Sequence, residues 1–239
     1  GAGETREIFT LQQLEEIFTL DNVHKAGAVF NLEKLDWFNW RWQKQKHNEK
    51  LQTIALEIDP SVEITEDKKG QLSFKFSDPT KEENFYQQRG KILQTICANH
   101  LDTKLPEETL LKALNTIEEK ILREPKEVNE HLALFSHLPN YKKELLTHEK
   151  MGVDLNQALA NLQTAKENLE KLTDWTLSAI TAVLMATIEQ LGVKNGQLLW
   201  PLRSALSGLE FSPGAFEIAW ALGKEETLNR INHALQNEL

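Results

Sequence analysis

Arg203 and Ser212 are the residues whose types and spacing most clearly suggest chemistry. They fall within residues 196–223, a stretch that predicts two short helices joined by a tight connection. Gly208 is placed to end the first helix, because glycine readily adopts the left-handed backbone of a helix C-terminus. Ser212 is placed to cap the second helix, with Pro213 in its first turn. The pattern therefore predicts a guanidinium beside free backbone N–H groups, which suits an anion or the edge of a base.

The same stretch closely resembles the C-terminus of bacterial-type glutamyl-tRNA synthetases. The matching blocks are PLR at 201–203, ALSG at 205–208, SPG at 212–214, FE at 216–217 and LGKEETL at 222–228 with Arg230. Towards the other end, EIFT at 7–10 and AVFNLEKLDWFN at 28–39 resemble the segment that follows the catalytic half of that family. Because matching blocks occur at both ends in the family's order, the resemblance implies the C-terminal half of such an enzyme, including its anticodon-binding domain.

The resemblance assigns five residues to the anticodon. It implies that Arg203 contacts an anticodon base, for which a guanidinium offers paired donors and a stacking face. Ser212, Pro213 and Ala215 stand where the family lines the pocket for the last anticodon base, although Ala215 is smaller than the leucine common there. Arg123 stands where an arginine reads the first anticodon base in enzymes that reject tRNA(Gln). The alternative for Arg123 is an arginine favoured by the dipole at a helix C-terminus.

A further set of cations is expected to contact the tRNA backbone: Arg41, Lys44, Lys46 and Lys194. A solvated helical face is the alternative for the run at 41–46. The net charge of −9 opposes non-specific nucleic-acid binding, which depends on a basic surface. Recognition nevertheless needs only a local basic patch. We therefore expect few contacts with phosphates. The affinity that these contacts contribute should fall as the salt concentration rises.

Several classes of site have no supporting residues in this sequence. One cysteine, Cys97, can form neither an internal disulfide nor a thiolate zinc centre, and the seven histidines lack zinc-ligand spacing. No HExxH, P-loop or GxSxG motif occurs. The family's HIGH-type and KMSKS-type ATP motifs are also absent, so this chain alone is not expected to form an adenylate. The resemblance implies ATP and magnesium for the parent enzyme and no cofactor for this fragment.

The periodicity of apolar residues predicts a mostly α-helical chain with a small β-hairpin insertion at about 62–76. We expect residues 1–52 to be the end of a stem-contact region. Residues 53–140 and 141–239 are then expected to be two helical anticodon-binding subdomains, the first carrying the hairpin. No apolar run has the length of a membrane span, and no signal peptide is apparent. We expect a cytoplasmic protein, and we expect it to be a monomer.

The sequence predicts the tRNA-recognition part of a glutamate–tRNA ligase, a class I synthetase that attaches glutamate to tRNA(Glu) during translation. Two alternatives stay open. One is a nondiscriminating synthetase that also charges tRNA(Gln). The other is a helical interaction module that has lost tRNA binding, which the acidic charge favours.

Overall fold

The computed structural model describes residues 9–20, 31–68 and 70–236. Parts of the N-terminal sequence blocks, residues 7–8 and 28–30, lie outside this range. Within it the chain forms ten α-helices and one antiparallel pair of strands, which confirms the prediction of a mostly α-helical fold with a small hairpin. The elements are α1 Leu11–Ile17, α2 Leu32–Ile58, β1 Glu63–Glu66, β2 Leu72–Lys75, α3 Pro79–Cys97, α4 Glu107–Thr116, α5 Glu118–Arg123, α6 Val128–Ser136, α7 Leu155–Glu170, α8 Leu177–Leu191, α9 Asn195–Ser207 and α10 Ala215–Gln236.

The chain divides into two compact units, residues 1–53 and 54–239. In the first unit, Thr10 and Gln13 form a capping box at the start of α1, each side chain bonding the other's backbone N–H. The apolar side chains of α1 are not buried, and Leu11 and Phe18 are largely exposed. Most of α2 also belongs to this unit, and its tryptophans and cations are described below.

The hairpin is held at its base by one buried carboxylate. Asp59 accepts hydrogen bonds from the Ser61 N–H at 3.1 Å and hydroxyl at 2.7 Å, and from the Ser77 N–H at 2.8 Å. The Lys81 ammonium lies 3.1 Å from the same carboxylate. The hydrogen bonds from Ser77 and Ser61 hold the pKa of Asp59 well below its usual range. This clamp joins the two ends of the hairpin to the start of α3.

The helices of the second unit share one apolar core. Side chains from α3 to α10 contribute to it, and its largest fully buried members include Trp220, Leu93, Leu114 and Leu162. The stripes that build this core follow the helical spacing of the sequence, as in α7, where Ala158, Leu162, Ala165 and Leu169 are buried. Helix α10 packs against α4, α7 and α9, and α9 packs against α7.

Local signals set several helix ends. Asp78 caps α3 by accepting from the Thr80 and Lys81 N–H groups, and Asp154 caps α7 by accepting from Gln157 N–H. Gly192 and Gly208 end α8 and α9 with φ near +62° and +65°. Gly208 is also sterically required, because a Cβ there would lie 2.9 Å from the Pro139 carbonyl oxygen. This close approach leaves room only for glycine at the start of the loop that follows α9.

Candidate nucleic-acid interface

Arg203 and Ser212 are in direct contact. The Arg203 side chain leaves the last turns of α9 and donates from Nη1 to the Ser212 hydroxyl at 3.0 Å. Its Nη2 donates to the Glu210 carbonyl oxygen at 2.9 Å, and its Cζ lies 4.6 Å from the centroid of the Trp200 ring. The guanidinium is therefore fixed in one orientation by two hydrogen bonds and one aromatic face.

The Arg203 side chain is half-buried rather than enclosed. Burial lowers the pKa of Arg203 and the Glu210 carboxylate opposes that shift, but an arginine stays charged at neutral pH. Within the described part of the chain, two of its five N–H groups are engaged in hydrogen bonds. The remaining N–H groups are available to a ligand that approaches from solvent.

Ser212 does not cap α10, so that expectation is wrong. The helix begins at Ala215, and the Gly214 carbonyl oxygen accepts its first hydrogen bond, from Ile218 N–H at 3.0 Å. Pro213 therefore precedes the helix rather than occupying its first turn. The Ser212 hydroxyl instead accepts from Arg203 and donates to the Pro213 carbonyl oxygen at 3.2 Å. The partner of this hydroxyl is therefore the charged Arg203 side chain and not a backbone N–H group of α10.

The N-terminus of α10 already has a carboxylate beside it. Glu217 lies in the first turn, and its Oε2 lies so close to Gly214 that a Cβ at that position would overlap it. A carboxylate at this position is stabilised by the positive end of the helix dipole. A phosphate brought to the same end would meet a like charge. The surroundings therefore favour the edge of a neutral base over an anion.

A surface groove of about 440 Å³ lies beside Ser212 and Pro213. We call it the loop groove. One wall is the loop between α9 and α10, and the other is formed by the end of α4 and parts of α5 and α6. Its lining includes Leu209, Phe211, Ser212, Pro213, Thr116, Ile117, Glu119, Lys120, Glu130, His131 and Leu134. The mixture of apolar and polar side chains suits a planar base with a polar edge.

Phe211 is a residue that the sequence reasoning missed. Its side chain is 84% exposed, although it sits in the loop that walls the groove. An aromatic ring that is not buried offers a face on which a base can stack. The available signal was a phenylalanine placed between a helix-ending glycine and a proline, where burial in a helix stripe is not expected.

Ala215 does not reach the loop groove. Its side chain is only 4% exposed and belongs to the apolar core, whereas Ser212 and Pro213 line the groove. Arg123 is exposed at the end of α5. It does not line the groove either, but Glu119 and Lys120, four and three residues before it, do. Since residues at these spacings are neighbours on a helix, Arg123 lies about one turn beyond the groove wall.

The four predicted backbone cations lie in different units of the chain, three on α2 in the first unit and Lys194 in the second. On α2, the Arg41 Cζ and the Lys44 and Lys46 Nζ atoms each lie 5.2 to 5.4 Å from the indole four residues earlier. Arg41 and Lys46 are exposed, whereas Lys44 is only 8% exposed. Lys194 is exposed at the start of α9, about 14 Å along the helix axis from Arg203. We conclude that Lys44 is poorly placed for a phosphate.

Neither a metal site nor a membrane-spanning helix is found in the described part of the chain. No group of three or more His, Cys, Asp or Glu side chains there could hold a metal ion. No helix among these residues is long and apolar enough to cross a membrane.

Residues 93–235 match the family model described as an anticodon binding domain. The glutamate–tRNA ligase of Clostridium botulinum (strain Hall) is 34% identical over 230 residues, which cover 96% of this chain and 39% of that protein. The glutamate–tRNA ligase of Clostridium tetani is 32% identical over 241 residues, covering 99% of this chain and 41% of that protein. The chain thus spans about two fifths of the length of these curated relatives.

Two solved structures share the fold. A glutamate tRNA ligase from Elizabethkingia meningosepticum, in complex with its amino acid, matches 97% of this chain and 37% of its own, with a TM-score of 0.57 and 23% identity. The glutamate-tRNA synthetase from Elizabethkingia anophelis matches the same shares, with a TM-score of 0.55 and 21% identity. At these identities the likeness shows the fold alone.

Proposed function

We propose a tRNA-reading function from one premise: this chain belongs to the anticodon-binding domain family. Its curated relatives are glutamate–tRNA ligases, and it spans about two fifths of their length. We therefore assign to this chain the recognition of the anticodon of tRNA(Glu). The joining of glutamate to the tRNA, with ATP and magnesium, is assigned to the longer protein of which such a domain is a part.

The observation that carries the proposal is the contact between Arg203 and Ser212. Ser212 lines the loop groove, and Arg203, which does not line it, lies directly behind that hydroxyl. The two intramolecular hydrogen bonds and the Trp200 face hold the guanidinium before any ligand arrives. A splayed anticodon base would enter the groove, stack on Phe211 and accept from the remaining Arg203 N–H groups. A base without a matching acceptor would leave a buried donor unpaired, at a cost of about 1–3 kcal/mol.

A second anticodon base is assigned to Arg123. Its side chain is exposed, has no hydrogen bond or ion pair to the described residues, and lies one turn beyond the groove wall. A long guanidinium at that position can reach a neighbouring nucleotide of the same loop. We assign weak backbone contacts to Arg41, Lys46 and Lys194, which are exposed, and none to Lys44, which is buried.

The remaining parts of the proposal follow from the same assignment. The domain acts as a monomer in the cytoplasm, where translation takes place, and needs no cofactor for binding. Its role in the reaction is to supply recognition energy and to position the acceptor end of the tRNA. Analytical ultracentrifugation with and without tRNA(Glu) tests the monomer, because a dimer would sediment with twice the expected mass.

The function is tested by titrating tRNA(Glu) transcript with the wild type and the Arg203→Ala variant. We expect the variant to bind about 5- to 150-fold more weakly, which corresponds to about 1–3 kcal/mol. Lys104→Ala is the control for charge, because Lys104 is exposed and does not line the groove. Equal affinities for the wild type and Arg203→Ala would remove Arg203 from the site.

The same titration separates this function from its alternatives. A domain that reads the whole anticodon should bind tRNA(Gln) more weakly than tRNA(Glu), and Arg123→Ala should narrow that difference. No difference between the two tRNAs in the wild type would indicate a nondiscriminating enzyme. Absence of binding to either tRNA at both low and moderate salt would indicate an interaction module.

A further inference from the structure

The two hydrogen bonds of Arg203 do not by themselves fix the plane of its guanidinium. Nη1 donates to the Ser212 hydroxyl and Nη2 to the Glu210 carbonyl oxygen, so the two acceptors define one axis through the group. The group can still turn about that axis, and its remaining donors turn with it, because all five N–H groups lie in one plane. The Trp200 ring, whose centroid lies 4.6 Å from Cζ, opposes this turn. The direction of the free donors therefore depends on the tilt of the indole.

The Trp200 indole is held by a segment that precedes α7. Its Nε1 donates to the Leu145 carbonyl oxygen at 3.0 Å. The His148 ring lies edge-to-face with it, with centroids 4.3 Å apart and an interplanar angle of 81°. The hydrogen bond fixes one edge of the indole, and the ring contact opposes rotation about that edge. Residues outside α9 therefore set the tilt of the indole.

The His148 ring is itself fixed by the turn in which it lies. Its Nδ1 accepts from the Met151 N–H at 3.3 Å, and the same N–H also donates to the His148 carbonyl oxygen at 3.1 Å. His148 and Val153 exchange two backbone hydrogen bonds, of 2.9 and 3.1 Å. Leu146 and Val153 belong to the apolar core and anchor both ends of the turn. The ring therefore has a firm base from which to support the indole.

The same turn also packs on the start of α9. Gln197 Nε2 donates to the Gly152 carbonyl oxygen at 3.4 Å. The Met151 sulfur lies so close to Gly196 that a Cβ at that position would be 2.6 Å from it. These contacts hold the turn against α9 without the His148 ring. A variant can therefore lose the ring while the packing of the turn remains.

We propose that His148 is a positioning residue for Arg203 and acts through the Trp200 ring. The histidine ring limits the tilt of the indole, the indole keeps the guanidinium in one plane, and that plane directs the free N–H donors to a bound base. His148 itself contacts no ligand. The inference rests on the proposed function, because it requires Arg203 to donate to a base.

A double-mutant cycle tests the proposal, with tRNA(Glu) transcript as the probe. His148→Ala should bind about three- to tenfold more weakly than the wild type, the range that corresponds to one lost edge-to-face contact. In the Arg203→Ala background the same substitution should cost nothing further, because the residue through which it acts is absent. Equal binding by His148→Ala and the wild type overturns the proposal. So does an equal loss in both backgrounds.

His100→Ala is the control for removal of a histidine. His100 is exposed, follows α3 and does not line the loop groove. The variant should bind tRNA(Glu) like the wild type. A loss as large as that of His148→Ala would overturn the proposal, because the effect would then not depend on the contact with Trp200.

Two further variants separate the ring of His148 from its role in the turn. His148→Phe keeps a ring against Trp200 and loses the Nδ1 acceptor, while the Met151 N–H keeps its bond to the carbonyl oxygen of residue 148. His148→Asn keeps a side-chain acceptor for that N–H and loses the ring. We expect His148→Phe to retain the wild-type affinity and His148→Asn to bind as weakly as His148→Ala.

Rescue by His148→Asn overturns the proposal, because it would assign the residue to the turn alone. Failure of His148→Phe to rescue overturns it as well. Should His148→Ala fail to fold, these two variants carry the test without it.

A measurement on the free protein separates this proposal from the proposed function. Stacking on an indole face shifts the proton magnetic resonance signals of an arginine side chain upfield. We expect the Arg203 signals to lose this shift in His148→Ala and to keep it in His148→Phe. If Arg203→Ala binds tRNA(Glu) like the wild type, the reading role of Arg203 fails, but a lost shift still supports the positioning. Unchanged Arg203 signals in His148→Ala overturn the positioning, whatever the RNA titrations show.

Discussion

Two arginines of the C-terminal helices differ in their surroundings: Arg203 contacts Ser212 of the loop groove, and Arg230 lies at the junction of α6, α9 and α10. At the junction, Arg230 is 2% exposed and donates from Nη1 to the Leu134 and Leu206 carbonyl oxygens, both at 2.7 Å. Its Nε lies 2.6 Å from the Glu226 carboxylate. Beside Ser212, Arg203 donates two of its N–H groups to protein oxygens and remains half-buried.

The difference shows that residue type alone does not assign a role. Both arginines belong to sequence blocks that match the same family, and both sit on C-terminal helices. Arg230 satisfies two carbonyl oxygens that burial would otherwise leave unpaired, so its contribution is to stability. Arg203 keeps donors for a ligand, so we assign its contribution to binding. Four predictions test the distinction between residues that stabilise the fold and residues that bind a ligand.

The largest expected effect is that of Arg230→Ala on stability. The variant leaves two buried carbonyl oxygens without their donor and creates a cavity at the junction. We expect the free energy of unfolding to fall by about 3–5 kcal/mol, as for removal of one partner of a buried charged group. Urea unfolding followed by circular dichroism measures it. A loss as small as that of an exposed arginine, such as Arg123→Ala, would contradict the structural role.

Phe211→Ala is expected to affect binding only. Its side chain contributes almost nothing to the core, because it is 84% exposed. Loss of a stacking face should weaken binding of tRNA(Glu) by about 1–3 kcal/mol, with an unchanged free energy of unfolding. Phe211→Tyr, which keeps the ring, is the matched control and should bind like the wild type. Equal affinity of all three proteins would remove the ring from the interface.

Glu82→Gln should stabilise the fold at neutral pH. Burial raises the pKa of Glu82, while the hydrogen bond from the Ser178 hydroxyl, at 2.5 Å, partly offsets that rise. A raised pKa means that the folded state binds the proton more tightly than the unfolded state. The stability from protonation is therefore present below the ordinary pKa of a glutamate and lost as pH rises through the raised value.

The consequence for Glu82→Gln is a difference that depends on pH. Above the raised pKa, glutamine removes a buried charge and keeps an acceptor for Ser178, so the variant should melt at the higher temperature. Below the ordinary pKa, both side chains are neutral and the melting temperatures should converge. Thermal unfolding from pH 4 to pH 8 measures this, and a constant difference would refute the assignment.

The smallest effect is expected for the cations of α2, where an exposed and a buried lysine can be compared. Lys46→Ala should reduce the slope of log affinity against log salt by about 0.7–0.9, the value for one phosphate contact. Lys44→Ala should leave the slope unchanged, because Lys44 is buried against solvent. Titrations of tRNA(Glu) at several salt concentrations check both. Equal slopes for the two variants would remove Lys46 from the backbone contacts.

Most of the fold could be predicted from the sequence, but only part of the site could. The mostly α-helical architecture and the hairpin are confirmed, and the glycine that ends α9 lies where it was expected. The expected cap at Ser212 is wrong, and Ala215 lies in the core rather than at the groove. The first error arose because a hydroxyl can bond a backbone N–H or a side chain, and the sequence shows only the first option.

The sequence by itself determined what depends on neighbouring residues. The capping of α1 by Thr10, of α3 by Asp78 and of α7 by Asp154 is local, because each side chain bonds N–H groups two or three residues ahead. The alternation that builds the hairpin is equally local, since strand side chains alternate every second residue. Such contacts form whenever the segment adopts its favoured backbone.

Only the tertiary structure decided which polar groups of the described residues were left unpaired. The unpartnered Oδ1 of Asn115 depends on residues far away in sequence, because the partners of its Nδ2 fix which way the amide faces. Asn115 bonds Tyr86, 29 residues earlier, and it lines a cavity whose wall includes residues from the hairpin and from α10. Burial is a property of the assembled core. No spacing along the chain therefore encodes which donors and acceptors it leaves unsatisfied.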